Sequence, residues 1–156
     1  MAPTQWLNES EDRAWRCLMA MQDGLADFIE RQLRTRCGLS KADYEVLAHL
    51  SEASEGGLRS FELGALLRWE KSRLSQHLGR MQNRELINRE PAASDLRGAV
   101  VTITDRGRQL IESAAPQHVA DVRAAFISQL SPAELRALTR IGDKVRVRLA
   151  ELNEER

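Results

Sequence analysis

Residues 60–103 read SFELGALLRWEKSRLSQHLGRMQNRELINREPAASDLRGAVVTI. Ser60 can cap a short helix over 61–67, with Leu63, Leu66 and Leu67 turned inward. Arg68-Trp69-Glu70 is a short turn, and a further helix follows over about 71–84. Leu74, Leu78 and Met81 fall on one side of it, while Lys71, Ser72, Arg73, Ser75, Gln76, Gly79 and Arg80 fall on the other. The pattern then changes period. Leu86–Arg89 and Ala99–Ile103 read as short strands around PAASDLRG, a run of turn formers over 91–98.

Two short helices across a tight turn, followed by a hairpin, predict a winged helix-turn-helix over 39–108. Upstream, Ser40 and Asp43 have the spacing of a capping box, and Tyr44, Leu47 and Leu50 give the next helix its buried face. SEASEGG over 51–57 is a polar loop, and Leu58-Arg59 a very short extended piece. Residues 9–36 read as one long helix, capped by Asn8 with Glu11 and stopped by Gly38. Downstream, Thr104 caps a helix over about 105–129, which Pro116 is expected to bend or divide. Ser131-Pro132-Ala133-Glu134 opens the last helix, where Leu135, Leu138, Gly142, Val145, Leu149 and Leu152 step by three and four. The fold class is therefore mainly α with a small β-hairpin. Residues 1–38 and 109–156 carry more apolar positions than one small core needs, so they predict a helical dimerisation layer and a homodimer.

The whole chain is neutral, with 23 basic and 23 acidic residues among 156. The charge is unevenly spread. Residues 68–108 hold nine basic and five acidic side chains, a net +4, so the remainder carries −4. A local positive patch suits docking on phosphates while the other surfaces stay clear of them. A helix in the major groove needs one side that anchors it and one that offers donors and cations, and residues 71–84 have both. Arg97 lies at or near the hairpin tip, where a narrow minor groove would attract it, and Asp95 is placed to orient it. Double-stranded DNA is the expected partner, with a near-palindromic operator if the dimer is twofold. The alternative is a winged helix used for protein contacts without DNA.

Other classes fit poorly. Cys17 and Cys37 are too few for a disulfide framework and do not have metal-knuckle spacing. The chain carries no glycine-rich phosphate loop and no nucleophile motif, so neither a cofactor nor an enzyme is expected. The N-terminal MAPTQWLNESED is not a secretory signal, and no stretch has the ~20 apolar residues that cross a bilayer. A cytoplasmic protein without membrane contact is expected. Cys17 on the first helix could sense oxidant, but a buried, unreactive thiol is the simpler reading.

The chain resembles the MarR family of bacterial transcriptional regulators. The likeness runs over about residues 6–150. It is carried by Leu39-Ser40-Lys41-Ala42-Asp43-Tyr44, by Lys71-Ser72-Arg73-Leu74-Ser75-Gln76 and above all by Asp95-Leu96-Arg97-Gly98 with Thr104-Asp105-Arg106-Gly107-Arg108. The resemblance, together with position, implies DNA contacts from Lys71, Ser72, Arg73, Ser75, Gln76 and Arg80 on the helix, and from Arg97 with Asp95 on the wing. Arg73 and Gln76 suit base edges, and Lys71, Ser72 and Arg80 suit phosphates. It also implies a repressor and a small aromatic effector, for which Trp15, Tyr44 and His118 are the lining candidates. Core packing is the simpler reading of Trp15 and Tyr44. One departure is visible: where the family has glycine after the recognition helix, this chain has Arg84-Glu85-Leu86. A left-handed glutamate there would carry strain of roughly 1 kcal/mol, so either Glu85 takes that conformation or the helix ends differently.

Overall fold

The structure, a computed structural model, describes residues 5–54, 57–92 and 95–154, the side chains of 92–98 excepted. It forms two compact units, Met1–His118 and Val119–Arg156. The element order is α1 (Glu9–Cys37), α2 (Lys41–Glu52), β1 (Leu58–Arg59), α3 (Ser60–Leu67), α4 (Lys71–Asn83), β2 (Ile87–Ala92), β3 (Asp95–Ile103), α5 (Asp105–Ala125), a 3-10 turn (Ile127–Gln129) and α6 (Pro132–Glu154).

Local chemistry sets most helix starts. Asn8 accepts from the Glu11 N–H at 3.0 Å, and Glu11 accepts from the Asn8 N–H at 2.9 Å. Ser40 and Asp43 exchange the same pair of bonds, each at 3.0 Å. Ser131 and Glu134 repeat the arrangement at the start of α6. Gly38 ends α1 in the left-handed region, at φ 64°. α2 runs on through Glu52, so the following loop is shorter than SEASEGG suggested.

The cap of α3 differs from expectation. Ser60 is already the first helical residue, and Arg59 is the cap, its N–H donating to Glu62 at 2.8 Å. The Ser60 hydroxyl instead donates to the Ala99 carbonyl on β3 at 3.1 Å, which ties α3 to the sheet. The hairpin is also longer than expected. Pairing between β2 and β3 continues from Ile87↔Ile103 out to Ala92↔Asp95, with a register shift after Pro91. β1 pairs with β3 as well, giving a three-stranded antiparallel sheet in the order β1-β3-β2.

The core of the first unit gathers Leu39, Val46, Leu47, Leu63, Leu78, Met81, Leu86, Ile87 and Val101, all fully buried. Each such side chain contributes roughly 1.5–3 kcal/mol over its exposed state. Ile111 and Ala114 bring the first half of α5 onto this core.

The end of α4 answers the departure noted in the sequence. Glu85 adopts the left-handed conformation, at φ 59°. Its N–H donates to Gln82 at 2.9 Å, and the Leu86 N–H reaches back to Met81 at 3.1 Å, the two bonds of a Schellman ending. The helix therefore ends as it would with glycine, and the strain is held by neighbours. The Thr104 hydroxyl donates to the Glu85 carbonyl at 2.7 Å, and the Thr104 Oγ1 accepts from the Gly107 N–H at 3.0 Å. Thr104 is thus both cap of α5 and tether of α4. Gly107 is required here because a Cβ would collide with the Leu86 carbonyl oxygen.

α5 is continuous across Pro116, so the proline does not divide it; the helix ends at Ala125 and the 3-10 turn follows. α6 has no buried residue among those described. Among the described residues no helix is long and apolar enough to cross a membrane.

Candidate nucleic-acid interface

The two sides of α4 separate cleanly. Leu74, His77, Leu78 and Met81 are buried, while Lys71, Ser72, Arg73, Ser75, Gln76 and Arg80 are exposed. All six helix residues singled out in the sequence thus stand on solvent-facing positions of one element. Asp95 and Arg97 fall on the first residues of β3, but their side chains lie outside the described ones.

Behind the exposed face lies a polar network that sequence reasoning missed. Arg73 stacks over Trp69, with Cζ 4.4 Å from the ring centroid. Trp69 and His77 meet with centroids 5.3 Å apart and planes crossed at 87°. His77 Nδ1 lies 3.0 Å from an Arg80 guanidinium nitrogen, and its Nε2 lies 3.0 Å from Asp43 Oδ1. With Nδ1 accepting from Arg80, the proton of a neutral ring sits on Nε2, facing the carboxylate. Arg84 donates to Asp43 Oδ2 at 2.7 Å and to the Gly38 carbonyl at 3.0 Å.

Asp43 therefore serves twice. It closes the capping box of α2 and receives one side chain from α4, His77, and one from Arg84, the residue that caps its end. Burial alone would raise its pKa, but His77, Arg84 and the Ser40 N–H outweigh that and hold the carboxyl well below the usual carboxylate range. A signal for this network was present in the sequence: His77 sits between Leu74 and Leu78 on the apolar side of the helix, where a polar ring needs a partner.

The effector candidates divide. Tyr44 and His118 come together, with ring centroids 4.4 Å apart and a 45° tilt, and Tyr44 packs against the core. Burial, followed by the neighbouring Glu52 and Cys37, pushes the Tyr44 phenol up. Trp15 lies on α1, outside this ring pair and 54% exposed, so core packing does not describe it. Cys17, expected to be buried, is exposed, because the first half of α1 carries no buried residue. A groove of about 510 Å³ opens elsewhere, between α3, α4 and the sheet, lined by Phe61, Ala65, Trp69, Leu74, Ser75 and Arg89.

No protein-family model matches the chain. No curated protein matches it either. Solved structures do. AbsC, a MarR family transcriptional regulator from Streptomyces coelicolor, is 35% identical, with 95% of this chain and 99% of that chain covered and a TM-score of 0.89. Sco3205, a MarR family regulator from the same organism solved in complex with DNA, is 31% identical over 94% of this chain and 91% of its own, with a TM-score of 0.88. The S. aureus MepR–DNA complex shares the fold, at 18% identity, a TM-score of 0.76 and coverage of 91% and 98%. With that identity along nearly the full length, and with the winged helix-turn-helix described above, the chain belongs to the MarR family of transcriptional regulators.

Proposed function

We propose that this chain is a cytoplasmic homodimer that binds duplex DNA at a near-palindromic operator and represses transcription, with release by a small aromatic ligand. The observation that carries the reading is the division of α4: four buried side chains anchor it, and Lys71, Ser72, Arg73, Ser75, Gln76 and Arg80 face outward together. Arg73 and Gln76 then read base edges, while Lys71, Ser72 and Arg80 hold phosphates. Arg97, oriented by Asp95, enters the adjacent minor groove from the wing. The complex of the relative Sco3205 with DNA supports the reading of DNA as the partner.

The division of labour along the chain is part of the proposal. Residues 39–108 are the DNA-binding region, and 1–38 with 109–156 form the dimerisation region. Two observations favour a dimer. α6 exposes Ile141, Val145, Val147, Leu149 and Leu152, and the start of the chain exposes Trp6, Leu7 and Trp15. Such apolar surface is costly in water and is covered when two copies associate. Repression follows from occupancy, since a dimer seated on promoter DNA excludes other proteins from it. For the effector, the paired Tyr44 and His118 rings offer a stacking surface and a polar edge, with Trp15 as the third aromatic candidate.

The test is a salt titration of duplex binding. Affinity should fall steeply as salt rises, because each phosphate contact releases counterions. Arg97→Ala should weaken binding and make that slope shallower by about one. Binding indifferent both to salt and to Arg97→Ala would instead favour a protein-contact module.

A further inference from the structure

We propose that Trp69 is a specificity-determining positioning residue, whose indole face fixes the plane of the Arg73 guanidinium for reading a guanine edge. The inference rests on the DNA-binding reading above and deepens it. An arginine on a solvent-facing helix ordinarily samples many rotamers. Here Arg73 is laid on an aromatic face, with Cζ 4.4 Å from the centroid. A guanidinium held over a ring through its cationic carbon is positioned without spending its N–H groups on hydrogen bonds to that ring, and its N–H fork matches the O6 and N7 acceptors of guanine. Ordering the side chain before DNA arrives removes a loss that binding would otherwise incur.

The platform is itself braced. Trp69 follows the left-handed Arg68 in the turn between α3 and α4, and its N–H donates to Gly64 at 3.0 Å. Its ring packs partly on the core and meets His77 at a 5.3 Å centroid separation. His77 is only 8% exposed and stands 3.0 Å from Asp43, which Arg84 and the Ser40 N–H hold in place. A continuous set of contacts therefore runs from a buried carboxylate in α2 to an exposed cation on α4. The same imidazole touches Arg80, so one buried ring contacts both that basic side chain and the indole beneath Arg73.

The experiment uses the full chain in four forms: native, Arg73→Ala, Trp69→Leu and Trp69→Phe, each first checked by thermal melting. Duplexes are selected from a random pool with the native protein. Each form is then titrated against the best duplex, its single-base variants and an unrelated duplex. Arg73→Ala is expected to reduce discrimination about tenfold at one G·C position per half-site. Trp69→Leu should reduce it severalfold at that same position, with the other positions of the half-site discriminated as by the native protein. Trp69→Phe, which keeps a ring face, should retain most of it, and it carries the test if the leucine variant does not fold. Native discrimination in Trp69→Leu at the position that Arg73→Ala relaxes would overturn this proposal alone. A uniform loss at every position would do the same, since it marks a merely structural role. Failure of the native protein to enrich any duplex would overturn the DNA-binding reading, and this one with it.

Discussion

The carbonyl of Glu85, a left-handed residue just past the end of α4, accepts the Thr104 hydroxyl at 2.7 Å. Glycine adopts that backbone conformation without the steric penalty that a Cβ incurs. Glu85→Gly is therefore expected to stabilise the protein by about 0.5–1 kcal/mol, reduced slightly by loss of the exposed ion pair with Arg106. Urea denaturation checks this; a destabilised variant would mean that the Glu85 side chain matters more than its strain.

Gly107 is the counterpart on α5. A methyl group there meets the Leu86 carbonyl, so either α5 or the end of α4 has to move. Gly107→Ala should destabilise by roughly 1–3 kcal/mol, although alanine favours helix. Unchanged or raised stability in the same denaturation assay would show that the close approach is not tight.

Asp43 links stability to pH. Its folded pKa is depressed, so its contribution is fully present above the unfolded carboxyl value of about 4 and is lost as pH falls below it, towards the folded pKa. Asp43→Asn should lower stability at pH 7 by about 2 kcal/mol, the scale of hydrogen bonds to a charged group. The gap between native and variant should then narrow below pH 4. Denaturation curves at pH 7 and pH 3 decide this; a gap that stays constant would remove Asp43 from the acid response.

The exposed face of α6 gives a test of assembly. Ile141→Asp combined with Leu149→Asp places charge on positions that are 56% and 53% exposed in the single chain. If they are covered in a dimer, sedimentation should report a monomer for the double variant and a dimer for the native protein. Dimeric behaviour in both would move the interface elsewhere.

Much of this fold was legible in the sequence because its signals are local. The capping pairs Asn8–Glu11, Ser40–Asp43 and Ser131–Glu134 act across three residues, and the two sides of α4 follow from helical period. The missing glycine left two endings open at Glu85, and the residue takes the left-handed one. What escaped depends on partners far along the chain. Ser60 looked like a cap, yet its hydroxyl is taken by Ala99, 39 residues away. Asp43 was read as a capping acid, while its second role needs Arg84, 41 residues on. Trp69 and Arg73 were read separately, as turn and contact, and only the geometry of the turn stacks them. Pro116 marks a lost backbone bond, but a helix anchored by Ile111 and Ala114 just before it carries on through.

Selection of bound duplexes from a random pool by the purified chain at low ionic strength tests the central claim most directly. The account predicts enrichment of a near-palindromic sequence whose half-sites lie one helical turn apart, about 34 Å, on one face of the duplex. A pool that returns unenriched would contradict it.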